Sequence, residues 1–384
     1  MRIAVVGGGP AGLYFAALWK GRHISDEVRL FEQNAADATF GFGVVFSDRA
    51  LDFLREDDPD TAALIAPRMQ HWRDMTITHR GQSIVIDGVG FSAIGRLELL
   101  QLLQQRARAA GVDCAFATAI DPAAQLAGYD LIVAADGAHS RLRRRYEAYL
   151  GTSLSHIGNR FIWYGTRKRF PTLTQTFVAC EPGTFNAHHY PYSPCMSTFI
   201  VECDEATWVR AGFDAVGEEQ ARRVCEQVFS ATLDGHPLVS NRSQWREFPL
   251  IWNARWSVRN MVLIGDSLRT AHYSIGSGTR LALLDALALV KALENAPGDL
   301  SAALLRFQST RWAEVERLVA ASRRSALWYE RFATHMRLAP IDLAMSYMRR
   351  SERIDDSRLR VTSPRFMALH DRAGIARSHG GDDK

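Results

Sequence analysis

RIAVVGGGPAGL, residues 2–13, is the stretch from which the fold is read. Five residues of buried-strand character run straight into Gly7, Gly9 and Gly12, and an Ala/Leu-rich helix follows to about residue 20. Gly7 permits a tight turn, Gly9 lets the backbone approach a pyrophosphate, and Gly12 lets helix and sheet pack closely. The helix N-terminus would stabilise the pyrophosphate charge. Residues 28–31 form a second strand ending in Glu32, twenty residues after Gly12, where a carboxylate can accept hydrogen bonds from a ribose diol. The unit is β-α-β with a dinucleotide-binding first turn.

That fingerprint does not choose between FAD and NAD. A plain NAD dehydrogenase continues with compact βα units. Here residues 35–60 read as a long loop with a short helix, opening with Gly41-Phe42-Gly43-Val44, and residues 72–91 alternate and turn at Arg80-Gly81 and Asp87-Gly88 as hairpin strands do. Arg96 opens a helix that runs to about residue 110 and stops at Gly111. Two further strand ends follow. Residues 129–135 lead into Asp136-Gly137, and residues 261–264 lead into Gly265-Asp266 and a small-residue loop to Gly278, before a helix over 279–293. An Asp after a strand can accept a ribityl hydroxyl, and a helix N-terminus beyond it can stabilise negative charge on a reduced flavin ring. Alone, each Asp reads as a turn or a cap; three such signals in this order are hard to explain as turns.

Between the second and third signals, FIWYGT, TQTFVA, FNAHHY and MSTFIVEC lie within residues 158–204 and predict an antiparallel sheet able to carry a substrate site. Residues 218–233 and roughly 300–350 read as helical. The expected architecture is α/β: a Rossmann-like dinucleotide-binding domain, which the family resemblance given below makes an FAD-binding domain of glutathione-reductase type, interleaved with an antiparallel-sheet substrate domain and followed by a helical C-terminal region. The FAD-binding segments are 1–72, 93–157 and 258–300. Substrate-domain pieces are the hairpin 73–92 and the sheet 158–257. The helical region is 301–367, and 368–384 is a polar tail expected to be disordered.

The 384 residues carry 46 Lys plus Arg against 42 Asp plus Glu, a net charge of +4, which gives no reason to expect a nucleic-acid partner. Five cysteines without CxxC spacing argue against a disulfide framework or a zinc site and fit a reducing compartment. No leader pattern and no run of about eighteen apolar residues is present, so a cytoplasmic protein with no membrane partner is expected. No His pair has convincing metal-ligand spacing, and none is expected to bind metal.

The chain resembles the class A, single-component flavoprotein aromatic hydroxylases, whose GxGxxG, DG and GD motifs match Gly7-Gly9-Gly12, Asp136-Gly137 and Gly265-Asp266 in order. Within that family it is most similar to the salicylyl-CoA 5-hydroxylases and the monooxygenase part of 2-aminobenzoyl-CoA monooxygenase/reductase. The fragments that carry this likeness are FGFGVVFS (40–47), NRFIWYGT (159–166), STFIVEC (197–203), AHYSIGSGT (271–279) and RIDDSRLR (353–360). The indole hydroxylase of violacein synthesis shares several of them. The GD motif departs from the common GDAAH, reading Gly265-Asp266-Ser267-Leu268-Arg269, and Tyr273 stands where the broader family often has Pro. Arg269 is open to two readings, an altered ring environment or an altered substrate preference.

The resemblance implies FAD, reduced by NADH or NADPH, and dioxygen, with a C4a-hydroperoxyflavin attacking an electron-rich ring carbon. It implies that Gly7, Gly9, Gly12, Glu32, Gly41, Gly43, Val44, Arg96, Asp136, Gly137, Arg143, Asp266, Gly276, Gly278 and Thr279 bind the cofactor. A cation at the start of a helix is locally unfavourable, which favours a phosphate partner for Arg96. Alternation puts His188 and Tyr190 on one strand face, where either can bond an ortho hydroxyl or amine; His272 and Tyr273 follow the GD motif close to the expected ring. These four are the candidate catalytic residues.

The implied reaction is hydroxylation of an ortho-substituted benzoyl-CoA-type thioester, para to its hydroxyl or amine. A free aromatic acid or an indole metabolite is the alternative, and a flavin reductase or oxidase without oxygen transfer is a further one. Arg160, Arg167, Lys168 and Arg169, or Arg144 and Arg145, are the clusters available for CoA phosphates. A reductase extension, and with it ring reduction, is not expected.

Overall fold

The structure, a computed structural model, describes residues 1–47, 49–120 and 125–379. Its first sheet has six strands in the spatial order Ser257–Val258, Met261–Leu263, Leu131–Ala134, Arg2–Val6, Glu27–Phe31, Asp113–Ala115. All neighbours are parallel except the Ser257–Val258 edge. Parallel strands are buried on both faces, which is why they read as continuous apolar runs. Ile3, Val5, Leu30, Leu131, Val133, Val262 and Leu263 are fully buried or nearly so.

Helices Pro10–Arg22, Arg96–Ala110 and Gly278–Glu294 pack together over this sheet. The first has apolar residues on every side and buries Ala11 through Trp19. The second begins at Arg96 and ends at Gly111, whose φ of 90° makes the left-handed cap.

The second sheet has the order Leu238–Val239, Thr152–Thr166, Ser197–Cys203, Gly183–Pro191, Leu173–Cys180, Met75–His79, Gln82–Ile86, with Arg246–Asn253 also paired to the long Thr152–Thr166 strand. The hairpin turns at Arg80 (φ 51°) and Gly81 (φ 73°), both left-handed as a two-residue hairpin turn requires. It joins the large sheet by parallel pairing of Met75–His79 with Leu173–Cys180. A small sheet of Gly43–Ser47, Phe91–Gly95 and Gln70–Trp72 lies apart in hydrogen bonding.

Period-two alternation splits the large sheet's faces. Phe185, Ala187, Phe199 and Val201 pack against Phe213, Phe229 and Leu233 of the helical segment that follows. The opposite face, with Leu173, Phe177 and Tyr190, packs against Trp328, Tyr329, Phe332 and Leu343 of the C-terminal helices. The fold is mixed α/β with several sheets and a helical C-terminal region. Helix Pro364–His379 takes in residues 368–379, which composition placed in a disordered tail; its Phe366 and Met367 are buried and anchor it. Residues 380–384 lie outside the described residues. No described helix is long and apolar enough to cross a membrane.

Candidate active site

All four motifs leave the same end of adjacent parallel strands. Gly7 follows Arg2–Val6, Glu32 follows Glu27–Phe31, Asp136 follows Leu131–Ala134, and Gly265-Asp266 follows Met261–Leu263. Carboxyl ends of neighbouring parallel strands form the crevice where an α/β sheet binds ligands. Gly7 has φ 112°, and a Cβ there would lie 2.2 Å from the Ala135 carbonyl oxygen; a Cβ on Gly12 would lie 2.1 Å from the Gly7 oxygen. These two glycines are therefore required by the turn itself. Gly9 differs: its missing Cβ faces open space. Helix Pro10–Arg22 starts there with no side-chain cap, which leaves its first N–H groups available to an anion.

A cavity of about 350 Å³ opens at this point, lined by Gly7, Gly9, Glu32, Asp136, Gly137 and Arg141 among others. Glu32 accepts from Gly8 N (2.7 Å) and Asn34 N (2.8 Å), which fixes its carboxylate at the cavity wall. Asp136 Oδ2 accepts from the N–H groups of Arg141 (2.8 Å) and Leu142 (3.4 Å), while Oδ1 is buried without a partner. Burial raises the Asp136 carboxyl pKa against the lowering effect of these hydrogen bonds.

Arg143, Asp266 and Arg96 lie close enough to act on one another's charge, Arg143 also on that of Asp136. Arg143 donates to Ser267 O (3.1 Å) and Ala138 O (2.5 Å), tying the DG and GD segments together. Asp266 is open to the cleft rather than packed, yet deep enough that burial pushes its carboxyl up, with Arg96, Arg269 and Arg143 opposing. Arg96 is desolvated in turn, its pKa lowered by burial and sustained by Asp266 and Tyr190, and its buried Nε has no partner. The chain thus brings Glu32 and Asp136 to one cavity, with Arg143 acting on the charge of both Asp136 and Asp266, and Asp266 on that of Arg96.

Gly41, Gly43 and Val44 pack closely against their surroundings. A Cβ on Gly41 (φ 81°) would lie 2.5 Å from the Trp163 ring, and one on Gly43 would lie 2.4 Å from Tyr192 Cβ. These glycines bring the 41–44 loop against aromatic side chains of the large sheet and its edge; Gly43 N also donates to Thr198 Oγ1 (2.9 Å), and Val44 is buried. Gly276 (φ 57°) turns the chain beside Val45 into helix Gly278–Glu294, whose Gly278 faces open space and whose second residue is Thr279.

Of the four candidate catalytic residues, His272 and Tyr190 have hydrogen-bond partners within the protein. His272 is 1 % exposed; its Nδ1 pairs with Ser274 Oγ (2.8 Å), and its backbone N–H donates to Ser322 Oγ (2.6 Å). Burial, then Arg350 and His188, lowers its pKa to about 3. Tyr190 donates to Gly43 O (2.8 Å) and holds the 41–44 loop.

His188 and Tyr273 differ. Neither ring nitrogen of the buried His188 has a partner, and burial followed by Arg350 lowers its pKa to about 3. Opposite it in register is Gln175, fully buried, with both amide atoms also unpartnered. Two adjacent unsatisfied polar side chains are costly unless a polar ligand or water meets them. His189, as alternation requires, points to the other face and pairs with Thr176 Oγ1 (2.9 Å). The half-buried Tyr273 lies with its ring 6.4 Å from His188 and 5.1 Å from Phe161, and its hydroxyl donates to Glu202 Oε2. Glu202 went unread in the sequence because a Glu within STFIVEC carries no local signal. Pairing of its strand with Gly183–Pro191 and Thr152–Thr166 buries it to 1 %.

Arg269 points away from the cleft. Its guanidinium grips Asp285 on helix Gly278–Glu294 through two bonds of 2.5 and 2.8 Å, and Asp285 Oδ2 also accepts from Gly265 N (3.0 Å). Arg269 therefore fixes the GD loop from behind.

A glycine turn opening a helix, with carboxylates at the ends of adjacent parallel strands, is the arrangement of a dinucleotide-binding fold. No family model matches the chain. It is 39% identical over 361 residues to a salicyloyl-CoA 5-hydroxylase of a Streptomyces species, covering 91% of this chain and 70% of that one. It is 38% identical over 331 residues to the 3-hydroxy-4-methyl-anthranilyl-[aryl-carrier protein] 5-monooxygenase of Streptosporangium sibiricum (86% and 90% covered). To the protodeoxyviolaceinate monooxygenase of Chromobacterium violaceum it is 33% identical over 358 residues (90% and 94%). The fold matches that of 2-methyl-3-hydroxypyridine-5-carboxylic acid oxygenase at a TM-score of 0.67 and 18% identity, covering 91% of this chain and 96% of that one. The chain belongs to the FAD-dependent aromatic monooxygenases and is an aromatic hydroxylase, with FAD as cofactor and NADH or NADPH as reductant. The orphaned Asp136 Oδ1 and Arg96 Nε, the uncapped helix and the open Gly9 fit such a cofactor.

Proposed function

We propose that the chain hydroxylates the ring of an ortho-substituted aryl thioester para to the ortho group, with a salicyloyl or aminobenzoyl group carried on a pantetheine. One observation carries the thioester reading: the two relatives at 39% and 38% identity are named for acyl groups on CoA and on a carrier protein.

A cluster of guanidinium groups supports it. Arg353 is held below its ordinary pKa by burial and then by the charges of Arg280, Arg358 and Arg350. Among the described residues no carboxylate pairs with Arg353 or Arg358, and Arg280 reaches Glu314 only at 4.0 Å. Like charges gathered without counterions favour a phosphate. The clusters singled out in the sequence are differently engaged. Arg160 is paired with Glu205 (3.3 Å) and Glu247 (3.0 Å), Lys168 approaches Asp234 (3.7 Å), and Arg144 donates to His139 O (3.1 Å).

FAD, when bound, supplies the activation of dioxygen with electrons from NADH or NADPH. In this reading the Gly7–Gly12 turn and helix N-terminus hold the pyrophosphate, Glu32 the ribose, and Asp136, Asp266 and Arg96 the ribityl and ring end. The segments 1–72, 93–157 and 258–300 form the FAD-binding domain, and His188, Gln175 and Tyr273 meet the substrate's polar groups. Parallel turnover of salicyloyl-CoA and salicylate under labelled dioxygen tests the proposal, with product position read by mass spectrometry and NMR. Labelled 2,5-dihydroxybenzoyl-CoA is the expected product. Turnover of salicylate alone would refute the thioester reading.

A further inference from the structure

Glu202 stands in the middle strand Ser197–Cys203 of the large sheet, opposite Asn186 on one side and Phe161 on the other. Its Oε1 accepts from Asn159 Nδ2 (2.7 Å) and its Oε2 from the Tyr273 hydroxyl. Among the described residues no Lys, Arg or His lies within ion-pair distance of it. A Gln there would offer one acceptor oxygen in place of two, so the carboxylate is what receives both donors, and it does so buried and without a cation to offset the cost of desolvating its charge. Tyr273 comes from the other side of the cleft: it opens the short turn Tyr273–Ile275, between the GD motif and helix Gly278–Glu294. The Tyr273–Glu202 bond therefore links the flavin-motif loop to the substrate sheet, beside the unpartnered His188.

We infer that Tyr273 and Glu202 form a two-residue relay that accepts the proton of an ortho-hydroxyl on the substrate ring, which commits the enzyme to ortho-hydroxyaryl rather than ortho-aminoaryl thioesters. This rests on the aryl-thioester reading above. In the step, the substrate O–H bond breaks and its proton passes to Tyr273 Oη. The proton already on Tyr273 moves to Glu202 Oε2, and the electron pair stays on the substrate oxygen. The products are a substrate phenolate and a neutral Glu202. The phenolate raises electron density at the para carbon. An arylamine is already electron-rich and has no proton acidic enough for a carboxylate to remove.

The electrostatics agree. Burial raises Glu202 to about 7, with the Glu330 carboxylate adding to the rise and the bonds from Tyr273 and Asn159 opposing it. Tyr273 is held well above its ordinary value by burial and by Glu202, so it keeps its own proton and conducts rather than stores. The other titratable groups packed around the pair are Tyr329, Cys203, His188 and His272. Arg350, which lowers both histidines, is engaged with Ser274 O (2.8 Å), Ser325 Oγ (3.0 Å) and the Tyr347 ring.

The test compares wild type, Glu202→Gln and Tyr273→Phe as FAD-loaded enzymes. Steady-state kcat/KM is followed from pH 5 to 9 with salicyloyl-CoA and 2-aminobenzoyl-CoA, and the absorbance of bound salicyloyl-CoA reports its ionisation. Infrared titration of the Glu202 carboxyl is run without substrate. Expected are a wild-type rate on salicyloyl-CoA that rises through about pH 7, a bound phenolate at pH 8, and loss of both in each variant with a rate about 100-fold lower. A Glu202 carboxyl still protonated at pH 8 overturns the relay whatever the substrate. So does an unchanged pH profile in both variants, or equal losses on the two thioesters. Should Glu202→Gln fail to fold, Tyr273→Phe decides alone. If wild type turns over salicylate but neither thioester, the thioester reading fails while the infrared titration and the phenolate band still judge the relay.

Discussion

Replacing Arg269 probes how the GD loop is held. The Arg269 side chain is 1% exposed and Asp285 0%, so the pair is closed off from water. Substituting Met for Arg269 leaves Asp285 with the Gly265 N–H and with Arg311, 3.6 Å from Oδ1. Breaking a buried pair from one side costs about 3–5 kcal/mol, and the remaining Arg311 places Arg269→Met at the lower end, about 3 kcal/mol. Unfolding entropy of about 2.1 cal/mol/K per residue over 384 residues is roughly 0.8 kcal/mol/K, so Tm should fall by about 4 °C. Asp285→Leu strands two guanidinium groups and should cost more. The double variant Arg269→Met/Asp285→Leu should be more stable than the sum of the single losses by at least about 1 kcal/mol, since facing residues in one network couple. FAD affinity should weaken by about tenfold in each single variant, because Asp285 also anchors Gly265 beside Asp266; tenfold corresponds to about 1.4 kcal/mol. Differential scanning calorimetry and fluorescence titration with FAD measure these. Additive losses in the double variant, or Arg269→Met with unchanged Tm and FAD affinity, would refute the assignment of Arg269 as the strut behind the loop.

Asp136→Ala should lose about 1 kcal/mol through its cap of the Arg141 and Leu142 N–H groups and purify with less bound FAD than wild type, read from the visible absorbance per protein. Combined Arg280→Ala, Arg353→Ala and Arg358→Ala should raise KM for salicyloyl-CoA several-fold with little change in kcat, and flatten its salt dependence; an unchanged KM would remove the cluster from the substrate's path. His188 and His272 have folded pKa values near 3 against 6.5 in the unfolded chain. The unfolded state therefore binds more protons below pH 6.5, and stability present above that value should be lost progressively as pH falls toward 3. His188→Asn should make Tm less steep over pH 4–6, and an identical slope would contradict a neutral buried imidazole.

How far the chain could be read follows from where its information sits. The glycine turn, Glu32, Asp136-Gly137 and Gly265-Asp266 were legible because each is local: a run of apolar residues makes a strand, and the few residues at its end must be those that a turn and a bound nucleotide tolerate. The hairpin at Arg80-Gly81 and the helix from Arg96 to Gly111 were legible for the same reason. Other features depend on register between distant segments. Glu202 carries no local signal in the sequence, and pairing of its strand with Gly183–Pro191 and Thr152–Thr166 within the folded chain is what buries it to 1%. Arg269 pairs with Asp285 sixteen residues on, across a turn whose direction no local pattern states. Gly41 and Gly43 stand out in the sequence as glycines, but that an added Cβ there would meet Trp163 and Tyr192 is decided by tertiary contact. Sequence alone determined the strand-end motifs and their order, since backbone sterics and hydrogen bonding act within a few residues. Only the tertiary structure decided which polar groups are desolvated and which charges meet, because burial and Coulomb attraction depend on distances in space that chain order does not fix.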